Sequence, residues 1–244
     1  IVGESGSGKT TLGLALLRLV KSEGEIEFGD ILLNSLYQKQ ITPLRKKMQI
    51  VFQDPFGSLS PRMTIEQIVA EGLEIHNINN EIDHKNQIIK ALQEVDLDPD
   101  SRHRYPHEFS GGQRQRIAIA RALVLKPKII IADEPVSMLD VSIRAEILEL
   151  IKEIQQRNNI SIIYITHDLA TAKHFADRVM VLYLGKIMEE GPIDQVILTP
   201  KHPYTQALID AISEPDPENL YKEKKVRIND PIDVDVYSGC RFYS

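Results

Sequence analysis

The residues Gly3-Glu4-Ser5-Gly6-Ser7-Gly8-Lys9-Thr10 fit the pattern G-x-x-x-x-G-K-[ST], a loop built to hold phosphate. Glycine at 3, 6 and 8 lets the backbone take turns that a side chain would forbid, so successive N–H groups converge on phosphate oxygens. Lys9 supplies a point charge for the terminal phosphates, and the Thr10 hydroxyl is placed for Mg²⁺. The run 11–20 reads as a helix whose positive end faces the anion, and the apolar pair Ile1-Val2 reads as the end of a strand. With strand and helix flanking it, the motif is better explained as a nucleotide cradle than as a glycine-rich turn. A complete strand is expected ahead of Ile1 in the natural protein.

Phosphoryl transfer is mostly positioning and charge neutralisation, so the cradle needs companions. Asp133 ends a hydrophobic run and is a candidate for holding Mg²⁺ through water, while Glu134 beside it can act as general base on an attacking water. Gln53 can offer one amide to Mg²⁺ or water, although glutamines at strand ends are commonly just solvated. His167, at the end of the following strand, can hydrogen-bond a γ-phosphate; its plainer role is that of a satisfied structural histidine. Ser110-Gly111-Gly112, opening a helix, is either a second anion site by the same dipole logic or a simple N-cap. One chain thus carries two phosphate-binding helix ends. Two chains closed head to tail, each cradle facing the other's Ser-Gly-Gly turn, would use both.

The elements that must position these groups follow from periodicity. Residues 25–28 and 31–33 read as short strands around Gly29-Asp30. Thr42-Pro43 reads as an N-cap and first-turn proline ahead of Leu44-Arg45-Lys46-Lys47. Residues 48–52 form an apolar run that delivers Gln53. From 54 to about 125 the pattern is mostly helical, with Ile65, Ile68, Val69 and Leu73, then Ile88, Ile89, Leu92 and Val95, at helical spacing. Asp98-Pro99-Asp100 breaks it, and the block reads as a helical insertion in an α/β core. The helix after Ser110 passes Ile117, Ala120 and Leu123 and stops at Lys126-Pro127. Residues 129–132 are a continuous apolar strand of the kind covered on both faces. Ile143, Ile147, Leu150, Ile151 and Ile154 share one helix face, and the run 160–165 ends at Thr166-His167-Asp168. Strand, helix, strand in this rhythm predicts a parallel α/β sheet with ligand residues at its C-terminal edge. Residues 178–183 and 186–189, joined at Leu184-Gly185, read as a closing hairpin. From Pro215 proline and charge increase and periodicity fades, which reads as an extended tail.

A chain of 244 residues, 42% hydrophobic and 26% charged, suits one large α/β domain or a core with a smaller inserted one. No apolar run approaches the ~18 residues of a membrane span, and the first residues carry no secretory pattern, so any membrane role runs through a partner. A net charge of −6 gives no basic footprint for nucleic acid. The single cysteine, Cys240, excludes an internal disulfide framework and suits a reducing compartment.

The order of Gly3–Thr10 (Walker A), Gln53 (Q-loop), Ser110-Gly111-Gly112-Gln113-Arg114 (signature), residues 129–134 (Walker B), the Asp140 loop and His167 resembles the ATP-binding-cassette ATPases over nearly the whole chain. Three stretches further resemble the oligopeptide/dipeptide (and nickel) importer ATPases: residues 51–64 (VFQDPFGSLSPRMT), Tyr105-Pro106-His107-Glu108-Phe109, and His202-Pro203-Tyr204-Thr205. The resemblance implies an α/β P-loop NTPase core with a mostly parallel sheet, an antiparallel β part and an inserted helical subdomain at about 54–125. It implies a cassette over 1–214 and a peptide-importer C-terminal extension over 215–244.

It further implies that two such ATPases, identical or different, sandwich two ATP molecules between cradle and signature. Hydrolysis then drives a transmembrane permease from the cytoplasmic face of the cell membrane, to which the ATPase is peripheral. The permease receives cargo from an external solute-binding protein, and no nucleic acid takes part. ATP and Mg²⁺ are the ligands implied. Residue by residue, Gly3, Glu4, Ser5, Gly6, Ser7, Gly8, Lys9, Thr10 and Thr11 belong to the phosphate cradle, with Thr10 and Gln53 meeting Mg²⁺ and Asp133 supporting it. Glu134 is the base, His167 contacts the γ-phosphate, and Ser110, Gly111, Gly112 and Gln113 face the partner's ATP. Asp140 belongs to the loop that crosses the dimer. The helical block around Gln53–Leu73 and the stretch before Ser110 would contact the permease.

The family's adenine-stacking aromatic lies upstream of the cradle, so base recognition is not assigned here. Met138 stands where a small residue is commoner. Gly239-Cys240-Arg241-Phe242 resembles the opening of the cysteine-containing tail of these importers, and Cys240 alone is no metal site. A soluble cassette ATPase of translation or DNA repair is the competing class; it usually carries two cassettes or a basic arm. A non-hydrolysing regulator should lack the base, and Glu134 is present. Peptide, nickel and glutathione importers share these motifs, which leaves the cargo open.

Overall fold

The structure, a computed structural model, describes residues 1–76 and 81–211. The extension expected over 215–244, with Cys240, lies outside the described residues. The described chain divides into two compact units, one of residues 13–163 and the other of residues 1–12 with residues 164–211.

Helix α1 (Lys9–Leu16) begins at the cradle lysine and ends four residues before the expected stop at Val20. A Schellman turn closes it: Arg18 adopts a left-handed φ of 54°, its N–H reaches Ala15 O at 2.9 Å, and Leu19 N–H reaches Leu14 O at 2.9 Å. The Arg18 guanidinium then donates to Leu33 O at 2.8 Å, which fixes that unusual backbone.

In the 13–163 unit, β1 (Glu27–Phe28) and β2 (Ile31–Leu32) form the expected antiparallel hairpin. Helix α2 (Gln38–Arg45) corrects the reading of Thr42-Pro43 as a helix start: Pro43 lies inside the helix. Tyr37 N–H donates to Gln40 Oε1 at 2.9 Å and nucleates the helix upstream, while the Thr42 hydroxyl donates to Gln38 O at 2.9 Å. The proline costs one N–H only two residues from the helix end, where little helix remains to break.

Strands β3 (Met48–Val51) and β4 (Ile129–Asp133) pair in parallel from Met48–Ile129 to Val51–Ala132, and β5 (Ser161–Ile165) completes the order β3-β4-β5. Between β3 and β4 lie α3 (Ile65–Ile75), α4 (Glu81–Glu94), two 3₁₀ turns (Pro99–His103 and Pro106–Glu108) and α5 (Gly111–Leu123), the helical insertion expected from periodicity. Thr64 and Gln67 cap α3 reciprocally, at 2.9 and 3.4 Å. Ile65, Ile68, Val69, Leu73, Ile88, Leu92, Val95 and Ile117 are buried, and α3 and α4 both pack on α5. Helix α6 (Val141–Asn158) buries Ile147, Leu150, Ile151 and Ile154, and Asn159, left-handed at φ 50°, terminates it.

In the other unit, α7 (Leu169–Phe175), the antiparallel hairpin β6 (Arg178–Tyr183) and β7 (Lys186–Pro192), α8 (Ile193–Leu198) and α9 (Pro203–Asp210) surround one apolar cluster. Val2, Leu169, Val181, Tyr183, Ile193, Val196 and Tyr204 form it. Leu184 and Gly185 are both left-handed, at φ 45° and 75°, the combination a two-residue hairpin turn needs for its strands to keep their twist.

Candidate active site

The phosphate cradle leaves a strand end as the motif requires. Val2 bridges in parallel to Thr166 and to Val181; its N–H donates to Met180 O at 2.9 Å and its carbonyl accepts from Leu182 N at 2.7 Å. Thr166 N–H donates to Ile1 O at 3.0 Å. Gly3 and His167 therefore leave neighbouring parallel chain segments at the same edge. At Gly3 the backbone passes so close to β6 that a Cβ would sit 2.1 Å from Leu182 O. The loop then closes on itself: Ser7 N–H reaches Glu4 O at 3.2 Å and Gly185 N–H reaches Ser7 O at 3.0 Å.

Lys9 is buried and folds back along the loop, its Nζ donating to Gly3 O at 2.8 Å and Glu4 O at 2.7 Å. An ammonium so placed, above the start of a helix that carries exposed Thr10 and Thr11, is a centre of positive potential at the end where a helix favours anions. Glu4, Ser5 and Gly6 are exposed. The Glu4 N–H donates to Tyr204 Oη at 3.3 Å, a contact across 200 residues that no local pattern announces. His167 is exposed, and the next residue, Asp168, caps α7 through Ala170 N at 2.9 Å and Thr171 N at 3.2 Å. The cap fixes the backbone around His167 and leaves the ring on the surface.

In the 13–163 unit the parallel register brings the expected base and the Q-loop glutamine together. Carried two residues beyond Val51–Ala132, it sets Gln53 opposite Glu134, and Gln53 Nε2 donates to Glu134 Oε2 at 3.1 Å. The amide nitrogen being so engaged, the Gln53 carbonyl oxygen is the end suited to a cation or water. Asp133, at the end of β4, is buried, only 4% exposed. Glu134 holds a left-handed backbone at φ 45°, rare for a residue with a long side chain. The turn is supported by Ser137, whose N–H and hydroxyl reach Glu134 O at 3.2 and 3.0 Å.

Ser110 realises the plainer of its two readings within one chain. Its Oγ accepts from Gln113 N at 3.3 Å while Gln113 Oε1 accepts from Ser110 N at 2.9 Å, a reciprocal cap on α5. Both residues stay exposed or partly so, and the hydroxyl keeps its own hydrogen to donate. Gly111 and Gly112 lie against Leu139 and Ile143, which flank Asp140, the exposed N-cap of α6. The signature turn and the Asp140 loop thus share one surface, where Met138 is 57% exposed. Two arginines brace the helical insertion, Arg114 of the signature and Arg121, to which no motif points: Arg121 donates to Ser58 O at 2.6 Å, and Arg114 donates to Pro106 O at 2.8 Å while stacking 4.3 Å above the Phe56 ring. Burial pushes the Arg121 guanidinium below its ordinary pKa, with Glu71 opposing. An arginine following an apolar helix face was the available signal, but its partner lay 63 residues away.

Among the described residues no group of three or more His, Cys, Asp or Glu side chains gathers to hold a metal, and no helix is long and apolar enough to cross a membrane. Residues 1–137 match the ABC transporter family, and residues 188–244 match the oligopeptide/dipeptide transporter C-terminal region. The chain belongs to the ABC transporter family. This ABC ATPase is 49% identical over 243 residues to a putative peptide import ATP-binding protein of Brucella ovis, covering 99% of the chain and 77% of that relative. It is 47% identical over 235 residues to the oligopeptide transport ATP-binding protein OppF of Streptococcus mutans, covering 96% and 76%. Among solved structures it is similar to the dimeric ATP-binding cassette MJ0796 in a post-hydrolysis state with ADP and Pi. That match has a TM-score of 0.70 at 31% identity, over 79% of the chain and 83% of the other. It also matches cbiO1 of Clostridium perfringens, part of an ABC transporter complex, with a TM-score of 0.74 at 32% identity over 81% and 78%. The fold is that of a P-loop ABC ATPase, and the chemistry is ATP hydrolysis.

Proposed function

We propose that this ATPase is the energy-coupling subunit of a peptide importer, working as a nucleotide-sandwich dimer with an identical or sister cassette on the cytoplasmic side of a membrane permease. The 3.1 Å hydrogen bond from Gln53 to Glu134 carries the catalytic reading. It would orient the carboxylate that takes the proton from the attacking water, and it leaves the Gln53 carbonyl as the end that would serve the metal or that water. Lys9 and the cradle amides would hold the β- and γ-phosphates, Thr10 and Gln53 would meet Mg²⁺, Asp133 would support it through water, and His167 would contact the γ-phosphate. Bound Mg²⁺ supplies electrostatic neutralisation of the phosphates. Thr10, Gln53 and Asp133 would suffice on the protein side, because Mg²⁺ is usually held by one or two carboxylates together with substrate phosphates and water. In the dimer, Ser110 to Gln113 face the partner's nucleotide, and the hydroxyl hydrogen that Ser110 keeps is available to a phosphate oxygen.

Peptides are proposed as cargo because the C-terminal match and the names of the similar Brucella and Streptococcus proteins point to that class. The permease supplies the membrane-spanning part and an external solute-binding protein supplies the cargo. Co-purification of the tagged full-length protein from membranes, with mass spectrometry of its companions, tests this. A permease pair with a second cassette is the expected result. Recovery with ribosomes or DNA-repair proteins contradicts the importer reading, and a permease for nickel or glutathione contradicts the cargo.

A further inference from the structure

The peptide unit between Gly3 and Glu4 is held at both ends. Its oxygen accepts from Lys9 Nζ at 2.8 Å, and its nitrogen donates to Tyr204 Oη at 3.3 Å. Tyr204 is fully buried, 0% exposed, with its ring 4.5 Å from that of Tyr183. Its place is set by a run of bonds at the start of α9. His202 Nδ1 accepts from Tyr204 N at 3.1 Å, and the Glu189 carboxylate on β7 accepts from Lys201 N and His202 N, each at 3.0 Å. β7, the cap of α9 and the Tyr204 hydroxyl therefore form one continuous support ending on the cradle's first turn. Desolvation, the larger effect, and the nearby Glu4 push the hydroxyl up to about 12 against the Glu4 amide bond, so it stays neutral over the working pH range.

We propose that Tyr204 is a positioning residue of the nucleotide site: its hydroxyl pins the Gly3–Glu4 peptide and so couples the C-terminal region to nucleotide affinity. The inference rests on the reading of residues 3–11 as the nucleotide cradle. The ring alone fills the apolar cluster, so packing does not require the hydroxyl. The hydroxyl has a specific use, because the peptide it holds is the one on which Lys9 rests. When phosphate arrives, Lys9 must leave Gly3 O and Glu4 O for the anion. A peptide anchored at its nitrogen keeps its orientation through that exchange; an unanchored one is free to rotate and must be ordered again on binding, which lowers affinity and leaves the chemical step alone.

Tyr204→Phe removes only the hydroxyl, and the full-length protein with a fluorescent ATP analogue provides the assay. One net hydrogen bond corresponds to about fivefold in an equilibrium constant. The expected result is nucleotide affinity about fivefold weaker between pH 6 and 9, kcat at saturating ATP within about twofold, and selectively faster hydrogen exchange at the Glu4 amide. Unchanged affinity in Tyr204→Phe overturns the inference, as does faster exchange spread evenly over β6, β7 and α9. Lys9→Ala separates the two levels. Lost affinity in Lys9→Ala with none lost in Tyr204→Phe overturns the inference and leaves the cradle in place; undiminished affinity in Lys9→Ala overturns both.

Discussion

Gly3→Ala tests how the cradle is attached to its sheet. The added Cβ would lie 2.1 Å from Leu182 O and 3.1 Å from the Leu182 carbonyl carbon, both backbone atoms that no side-chain rotation can clear. Relief to a normal carbon–oxygen separation of about 3.3 Å requires a shift of roughly 1.2 Å. The chain there is tied by Leu182 N–H to Val2 O at 2.7 Å and by Val2 N–H to Met180 O at 2.9 Å, and Val2 is buried. A shift of that size breaks one or both bonds, and each buried group left unpaired costs about 1–3 kcal/mol, giving about 2–5 kcal/mol in all. At about 2–4 °C per kcal/mol for a chain of this size, the melting temperature should fall by roughly 4–20 °C. Gly6→Ala is the control. Nothing lies within 4 Å of its Cβ, and only the left-handed φ of 81° is strained, costing about 1 kcal/mol. Thermal unfolding of both variants, with nucleotide binding measured alongside, checks the argument. A Gly3→Ala protein that melts within about 2 °C of wild type, or above Gly6→Ala, refutes it.

Three further outcomes are expected. Burial opposes ionisation of Glu189, but the amides of His202 and Lys201 outweigh it and hold its pKa below the ordinary 4.5. A carboxylate lowered in the folded state stabilises fully above its unfolded value and loses that contribution as pH falls through the folded one. Glu189→Gln should therefore melt lower than wild type at pH 7, with the gap closing below pH 4.5, as thermal scans across that window would show. Ser110→Ala should cost about 1 kcal/mol of stability as a lost N-cap, yet reduce ATPase turnover far more than that cost explains; a turnover loss no larger than the stability loss would leave Ser110 a cap only. Ile147→Ala, at a position with 0% exposure, should destabilise by about 2–5 kcal/mol in denaturant titration.

Much of this architecture was legible because it is local. The apolar run of β4, the face of α6 and the Leu184-Gly185 turn each follow from periodicity or from the backbone a two-residue hairpin demands. The misreadings arose where side chains compete over a few residues. Pro43 looks like a helix start until Gln40 is seen capping Tyr37 upstream, and α1 stops early because Arg18 can take a left-handed backbone secured at Leu33. The site's chemistry was legible as residue types, but its geometry was not. Nothing in the sequence says that Gln53 and Glu134, 81 residues apart, stand opposite each other until the register of β3 and β4 is known. The left-handed Glu134 and the Tyr204 hydroxyl on the cradle are likewise products of tertiary packing.

The role proposed for Glu134, oriented by Gln53, is that of the base in ATP hydrolysis. Single-turnover hydrolysis by Glu134→Gln at saturating Mg-ATP tests it most directly. A loss of about 100-fold or more, with ATP affinity kept and the closed dimer favoured, is the expected result. Hydrolysis at the wild-type rate would contradict it.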